Sequence, residues 1–146
     1  PYDLRSMKLA QTFLVALLVL SPAATVLGNS LVIEPASGRK LCRWDGINLQ
    51  SYSNGRKLLK WDGQYISNFS TGRKLYKWDG TCLMMYDTGM KLYSWDGTHV
   101  ISYANGRKLF RWKGQKVMRY DNARKALKVQ GVIPVALVIA LVTGQV

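Results

Sequence analysis

Residues 72–88 read Gly72-Arg73-Lys74-Leu75-Tyr76-Lys77-Trp78-Asp79-Gly80-Thr81-Cys82-Leu83-Met84-Met85-Tyr86-Asp87-Thr88. The same pattern returns every 17 residues, with glycine at Gly38, Gly55, Gly72, Gly89 and Gly106 and tryptophan at Trp44, Trp61, Trp78, Trp95 and Trp112. Five units fill residues 38–54, 55–71, 72–88, 89–105 and 106–122 without slippage. A fixed period of this kind decides architecture before any single motif does, because every unit must adopt one local geometry.

Positions within a unit are counted from its first glycine. Position 3 is lysine throughout (Lys40, Lys57, Lys74, Lys91, Lys108), and position 4 is leucine. Position 9 is glycine (Gly46, Gly63, Gly80, Gly97, Gly114), preceded by aspartate except for Lys113. Position 12 is always aliphatic and position 15 always aromatic: Tyr52, Phe69, Tyr86, Tyr103 and Tyr120. Two glycines per unit and the density of β-formers exclude helix. Asp-Gly predicts a two-residue hairpin turn. Ser-Asn-Gly, Ser-Thr-Gly, Asp-Thr-Gly and Ala-Asn-Gly at the other end predict a three-residue turn with glycine in a bulge. Two six-residue strands and these turns account for the 17 residues.

This reading pairs position 7 with 10, 5 with 12 and 4 with 13 across the Asp-Gly turn. Across the other turn it pairs 15 with 2 of the next unit, 13 with 4 and 12 with 5. Positions 3, 5, 7, 10, 12 and 14 then share one face and positions 2, 4, 6, 11, 13 and 15 the other. The tryptophan face is the more apolar and is expected inward. On the other face, Arg56, Arg73 and Arg107 are expected beside the rings of Tyr52, Phe69 and Tyr103 in a cation–π arrangement. Degenerate half-units flank the array. Leu31-Val32-Ile33-Glu34-Pro35 reads as an outer strand with Pro35 at an edge, and residues 123–131 as a fading first half with Val129 in the tryptophan place.

The 146-residue chain carries 21 Lys and Arg against 8 Asp and Glu. One domain with tails is expected. The charge points to polyanions as partners; the plainer alternative is that it keeps a sticky aromatic sheet soluble. Cys42 and Cys82 are two units apart and are expected unpaired. Residues 1–6 read as flanking sequence and 7–28 as a secretory signal, with Lys8 ahead of an apolar run and small residues towards Asn29. A buried N-terminal helix is the alternative. The apolar tail, 132–146, reads as a glycolipid-anchor signal, a final buried strand pair, or a short hairpin-helix packed on the sheet.

Tyr86-Asp87-Thr88-Gly89-Met90-Lys91-Leu92 and Tyr103-Ala104-Asn105-Gly106-Arg107-Lys108-Leu109 resemble the tyrosine-aspartate (YD, Rhs-type) repeats of bacterial surface and toxin-encasing proteins. The resemblance covers about seven residues of each unit. The general plan is also similar to choline-binding wall repeats, without their paired Trp-Tyr motif. Both resemblances imply β-hairpin repeats working outside the cell, and neither transfers a site residue.

No nucleophile elbow, phosphate loop or metal-ligand spacing is present in the sequence. The one histidine, His99, occurs in a single unit, and the repeated aspartates sit in turns where backbone geometry explains them. The expectation is a protein that is not an enzyme, with no catalytic residue, metal or cofactor. The candidate ligand-binding residues are Arg39, Lys40, Arg56, Lys57, Arg73, Lys74, Lys91, Arg107 and Lys108 with Tyr52, Phe69, Tyr86, Tyr103 and Tyr120. Cations at regular spacing beside flat rings suit a repeating anionic chain, because many weak contacts add. The tryptophans and the position-9 glycines are assigned to structure.

The fold expected is all-β: an antiparallel meander of five hairpin units and about ten strands over residues 31–131, curled into a barrel or superhelical ribbon. A β-solenoid with two strands per coil is the alternative. The function expected is a secreted, non-catalytic adhesion module for an anionic polysaccharide or other polyanion. The alternative is a self-assembling extracellular fibre protein that joins copies through exposed strand edges. A secretory signal argues against nucleic acid as the native partner, and a membrane enters only through a C-terminal anchor.

Overall fold

The computed structural model describes residues 30–146. The flanking sequence and secretory signal read from residues 1–28 lie outside the described residues. Twelve strands follow one another: β1 (Ser30–Ile33), β2 (Lys40–Trp44), β3 (Asn48–Ser51), β4 (Lys57–Trp61), β5 (Tyr65–Asn68), β6 (Lys74–Trp78), β7 (Cys82–Met85), β8 (Lys91–Trp95), β9 (His99–Ser102), β10 (Lys108–Lys113), β11 (Lys116–Arg119) and β12 (Lys125–Gln130). Each pairs antiparallel with the next, and β12 returns to β1 to close a barrel. A helix, α1 (Val135–Val142), follows.

The two half-units close the ring. Val129 stands opposite Val32, in the same register as Trp44 opposite Leu49 and Trp61 opposite Ile66. The seam therefore repeats the pairing found between position 7 and position 12 elsewhere. The meander thus has twelve strands rather than about ten, and it is neither an open ribbon nor a parallel solenoid. β1 is not an edge strand, and Pro35 lies in the turn that follows it.

The Asp-Gly turn differs from the expected one by two positions in register. Position 7 pairs with 12, 6 with 13 and 5 with 14, as in Trp44↔Leu49, Arg43↔Gln50 and Cys42↔Ser51. The cause is the aspartate side chain. Asp45 Oδ1 accepts the backbone N–H of Ile47 (2.8 Å) and of Asn48 (2.6 Å), so the aspartate begins the turn instead of forming its centre. Gly46 takes the first central position, with φ 99°, and Ile47 the second. Asp62, Asp79 and Asp96 hold their turns in the same way.

At the opposite end of the barrel, position 12 meets position 5 of the next unit as expected, in Leu49↔Leu59. A bulge then skips the position-4 leucine, so that Gln50 faces Lys57. The aromatic at position 15 belongs to the turn, where Tyr52 N–H donates to Leu41 O at 3.0 Å. Positions 5, 7 and 12 point inward, as predicted. The bulge moves the position-3 lysines to the outer surface with their cross-strand partners at position 13, and position 10 lies in a turn.

Inside the wall, Leu49, Ile66, Leu83, Val100 and Val117 are fully buried. Trp44 is also buried, while Trp61, Trp78, Trp95 and Trp112 are half-buried against the same core. The rest of the core is the helix. Ala136, Leu137, Val138, Ile139 and Ala140 are all buried. Five consecutive helical residues cover more than a full turn, so α1 is enclosed on every side and fills the barrel. A ring of twelve strands has room for such an element. The segment Val-Ala-Leu-Val-Ile-Ala-Leu-Val is half valine and isoleucine, which favour strands. The closed wall offers no unpaired strand for it to join, and only a helix satisfies its backbone internally. Of the three readings of the apolar tail, the structure shows neither the strand pair nor a hairpin but a short helix packed against the sheet from inside. It is the centre of the fold.

Candidate functional site: a basic and aromatic rim

The meander sorts the repeated positions to two ends. Each first strand of a unit starts at one end with position 3, and each second strand returns there to position 15. All fourteen candidate binding residues therefore gather at one rim. Around it stand Arg39, Lys40, Arg56, Lys57, Arg73, Lys74, Lys91, Arg107 and Lys108, and the fading half-unit adds Arg124 and Lys125. The half-unit itself was read from the sequence, so Arg124 and Lys125 were legible as its positions 2 and 3, although the candidate cations stopped at Lys108.

The rim carries these eleven cations against three carboxylates, Glu34, Asp87 and Asp121. Each carboxylate already has an arginine: Arg39 with Glu34 at 3.5 Å, Arg73 with Asp87 at 2.7 Å and Arg119 with Asp121 at 3.5 Å. Arg56, Arg107 and Arg124 make no salt bridge among the described residues.

The cations over the rings are the lysines, not the arginines. Lys40 lies over Tyr52 at 5.2 Å, Lys57 over Phe69 at 5.2 Å, Lys74 over Tyr86 at 5.6 Å, Lys91 over Tyr103 at 5.4 Å and Lys108 over Tyr120 at 5.8 Å. The bulge explains the exchange, because it brings position 3 to the same outer surface as position 15. The partner ring belongs to the lysine's own unit. Lys74 has a second ring, Tyr65 at 4.1 Å, and Tyr65 meets Tyr86 edge to face. The rings remain open to solvent, from 42% exposed at Phe69 to 52% at Tyr103 and Tyr120. Holding a lysine over an exposed ring fixes its ammonium group near the surface without desolvating it.

The repeated aspartates gather at the other end of the barrel, among cations that include Lys60, Lys113 and Lys116. Asp45, Asp62, Asp79 and Asp96 ring it, with Lys113 in the fifth place. N–H donation from His99 and then Thr98 lowers Asp96 to about 2. Asp62 is lowered by the N–H groups of Tyr65 and Gln64, and Asp79 by those of Thr81 and Cys82. At Asp45 partial burial works upward, but hydrogen bonds from Asn48, Ile47 and Gln50 outweigh it and the net direction is down. These carboxylates stay charged at neutral pH. His99 Nδ1 lies 3.0 Å from Asp96 Oδ2 within this turn.

Cys42 and Cys82 are free and buried. Burial raises the Cys42 thiol above its ordinary range. Among the described residues, no group of three or more His, Cys, Asp or Glu is placed to hold a metal ion. No helix among them is long and apolar enough to cross a membrane. Comparison with protein-family models, with curated proteins and with solved structures found no match.

Proposed function

We propose that this protein is a secreted, non-catalytic binding module that holds an anionic polymer, a polysaccharide or extracellular matrix chain, along its basic and aromatic rim. The observation that carries the reading is the convergence of eleven cations and five exposed rings on one end of the barrel, with the repeated aspartates at the other. The cations recur at every unit and so present a periodic row to a periodic ligand. Each contact is weak, and the row multiplies them. The rings add flat faces for sugar stacking beside the charges. Secretion rests on the signal read in residues 7–28 and on the resemblance to tyrosine-aspartate surface repeats.

Heparin serves as the probe. Its binding to the full chain should weaken steeply as sodium chloride is raised, since each ion pair formed releases counterions. Salt-independent binding, or none at low salt, contradicts the proposal. Self-assembly into fibres is the second reading. The closed ring leaves it no unpaired strand edge among the described residues, so assembly would need contacts between barrel ends or walls.

A further inference from the structure

The helix does not sit symmetrically in the mouth of the barrel. Gly144, with φ 75°, ends α1, and the N–H groups of Gly144 and Gln145 return to Leu141 O (3.3 Å) and Ala140 O (3.0 Å). This cap delivers Gln145 to two inward-facing hydroxyls. Tyr76 donates to Gln145 O at 3.1 Å, and Gln145 Nε2 donates to the Tyr93 hydroxyl at 3.1 Å. Tyr76 and Tyr93 occupy position 5 of their units. The next unit has Phe110 there, which offers no hydroxyl. The end of the helix is therefore drawn to the β6 and β8 side, and a gap opens over β10 and β11.

That gap is a cleft of about 380 Å³ between Val142 and Thr143 of the helix end and the wall. Phe110 and Leu109 give it an apolar floor, and Tyr93 bounds one side. Arg107, Lys108 and Arg119 border it against a single carboxylate, Asp121. Arg119 is the unusual member. It pairs with Phe110 across β10 and β11, and so belongs to an inward column that carries Ser51, Asn68, Met85 and Ser102 in the other units. Its side chain is 56% exposed, so the guanidinium stands at the open edge of the cleft and adds little to core packing. Its Nε faces Asp121, and an anion can take the remaining donors of the fork.

We propose that this cleft binds a small amphiphilic anion: a carboxylate or sulfate head held by Arg119 and Lys108, with an alkyl or aryl body on Phe110 and Val142. The volume is at the lower end for small-molecule pockets, which fits one such molecule and not a polymer chain. The site shares Lys108 with the polymer-binding rim but rests on Arg119, Phe110 and Val142, which the rim reading does not use, so the two are told apart by variants at those residues.

The test is calorimetric titration of the full chain with octanoate and octyl sulfate, with octanol and octyltrimethylammonium as controls. Both anions should bind with one-to-one stoichiometry and the controls at least about tenfold more weakly, since a lost charged hydrogen bond corresponds to roughly that factor. Arg119→Gln should weaken octanoate by a similar factor, and Val142→Phe should abolish binding by filling the cleft. Arg56→Gln, on the far side of the rim, should leave octanoate binding unchanged while weakening heparin. Thermal unfolding of each variant verifies that it is folded. Equal affinity for octanoate and octanol, full binding by folded Arg119→Gln, or no binding by either anion overturns the proposal without touching the polymer reading.

Discussion

The hydroxyl of Tyr76 donates to the backbone oxygen of Gln145 at 3.1 Å, joining residues 69 apart in sequence. One is in the wall of the barrel and the other just beyond the helix that fills it. The contact shows how a repetitive wall acquires a unique interior. The repeat fixes the wall, and only the non-repeated residues at position 5 and the tail decide where the helix lies.

The helix should therefore behave as core. Leu137→Ala, at a fully buried site, should cost about 2–5 kcal/mol, the range for large-to-small changes in packed interiors. Tyr76→Phe should cost about 1 kcal/mol, the net worth of one hydrogen bond. Urea unfolding monitored by tryptophan fluorescence measures both. A Leu137→Ala midpoint equal to that of the unmodified protein would show that α1 is not the centre of the core.

The first glycine of each unit has a counterpart in the fading half-unit, where Ala123 adopts φ 55°. It is the only non-glycine residue with positive φ among the described residues. The left-handed region costs an L-residue roughly 1 kcal/mol or more relative to glycine. Ala123→Gly should stabilise the protein by about 1 kcal/mol, read as a higher unfolding midpoint. Gly46→Ala should destabilise by a similar amount through conformation alone, since nothing lies within 4 Å of the added carbon. Gly131→Ala should cost more, because its Cβ would meet Ser30 Oγ at 2.5 Å in the closing seam.

Acid should loosen the carboxylate end first. The folded state holds Asp96 at about 2 against an ordinary 3.8, through the N–H groups of His99 and Thr98. A depressed carboxylate adds stability that is fully present above its unfolded pKa and is lost as pH falls through the folded one. Stability should thus decline between about pH 4 and pH 2, with Asp45, Asp62 and Asp79 adding in the same direction. Asp96→Asn keeps an acceptor for both N–H groups but does not titrate. Its melting temperature should fall less steeply over that range. An unchanged acid slope in the variant would contradict the assignment.

Much of this was readable from residues. The period located every turn, the β-formers named the strands, and the column of tryptophan and aliphatic residues identified the inward face. The register was not readable at two places, each for a local reason. Asp45 can sit at the centre of a turn or begin it, and only its hydrogen bonds to Ile47 and Asn48 decide. The bulge that skips Leu58 is invisible in a pattern where leucine suits either face, yet it exchanged arginine for lysine over the aromatic rings. The sequence left barrel and ribbon open; both half-units were in view, and what decides is that Val129 in the tryptophan place pairs with Val32. The helix was only one of three readings of the tail, because an apolar run of valine, leucine and isoleucine has no periodicity to separate buried strand from buried helix. Arg119 carried a signal, a charge in a column otherwise without one, that became meaningful only when the column was seen to face the lumen.

The central claim is that the rim binds a polyanion through its cations, and the arginines test it best because the lysines also pack on rings. The measurement is the slope of log affinity for heparin against log salt, for the unmodified protein and for the variant with Arg39, Arg56, Arg73 and Arg107 all changed to glutamine. Each cation engaged contributes about one unit of slope. Arg39 and Arg73 already face carboxylates, so the slope should shrink by about two to four, with weaker binding throughout. A folded variant that keeps both the affinity and the slope of the unmodified protein would contradict the account.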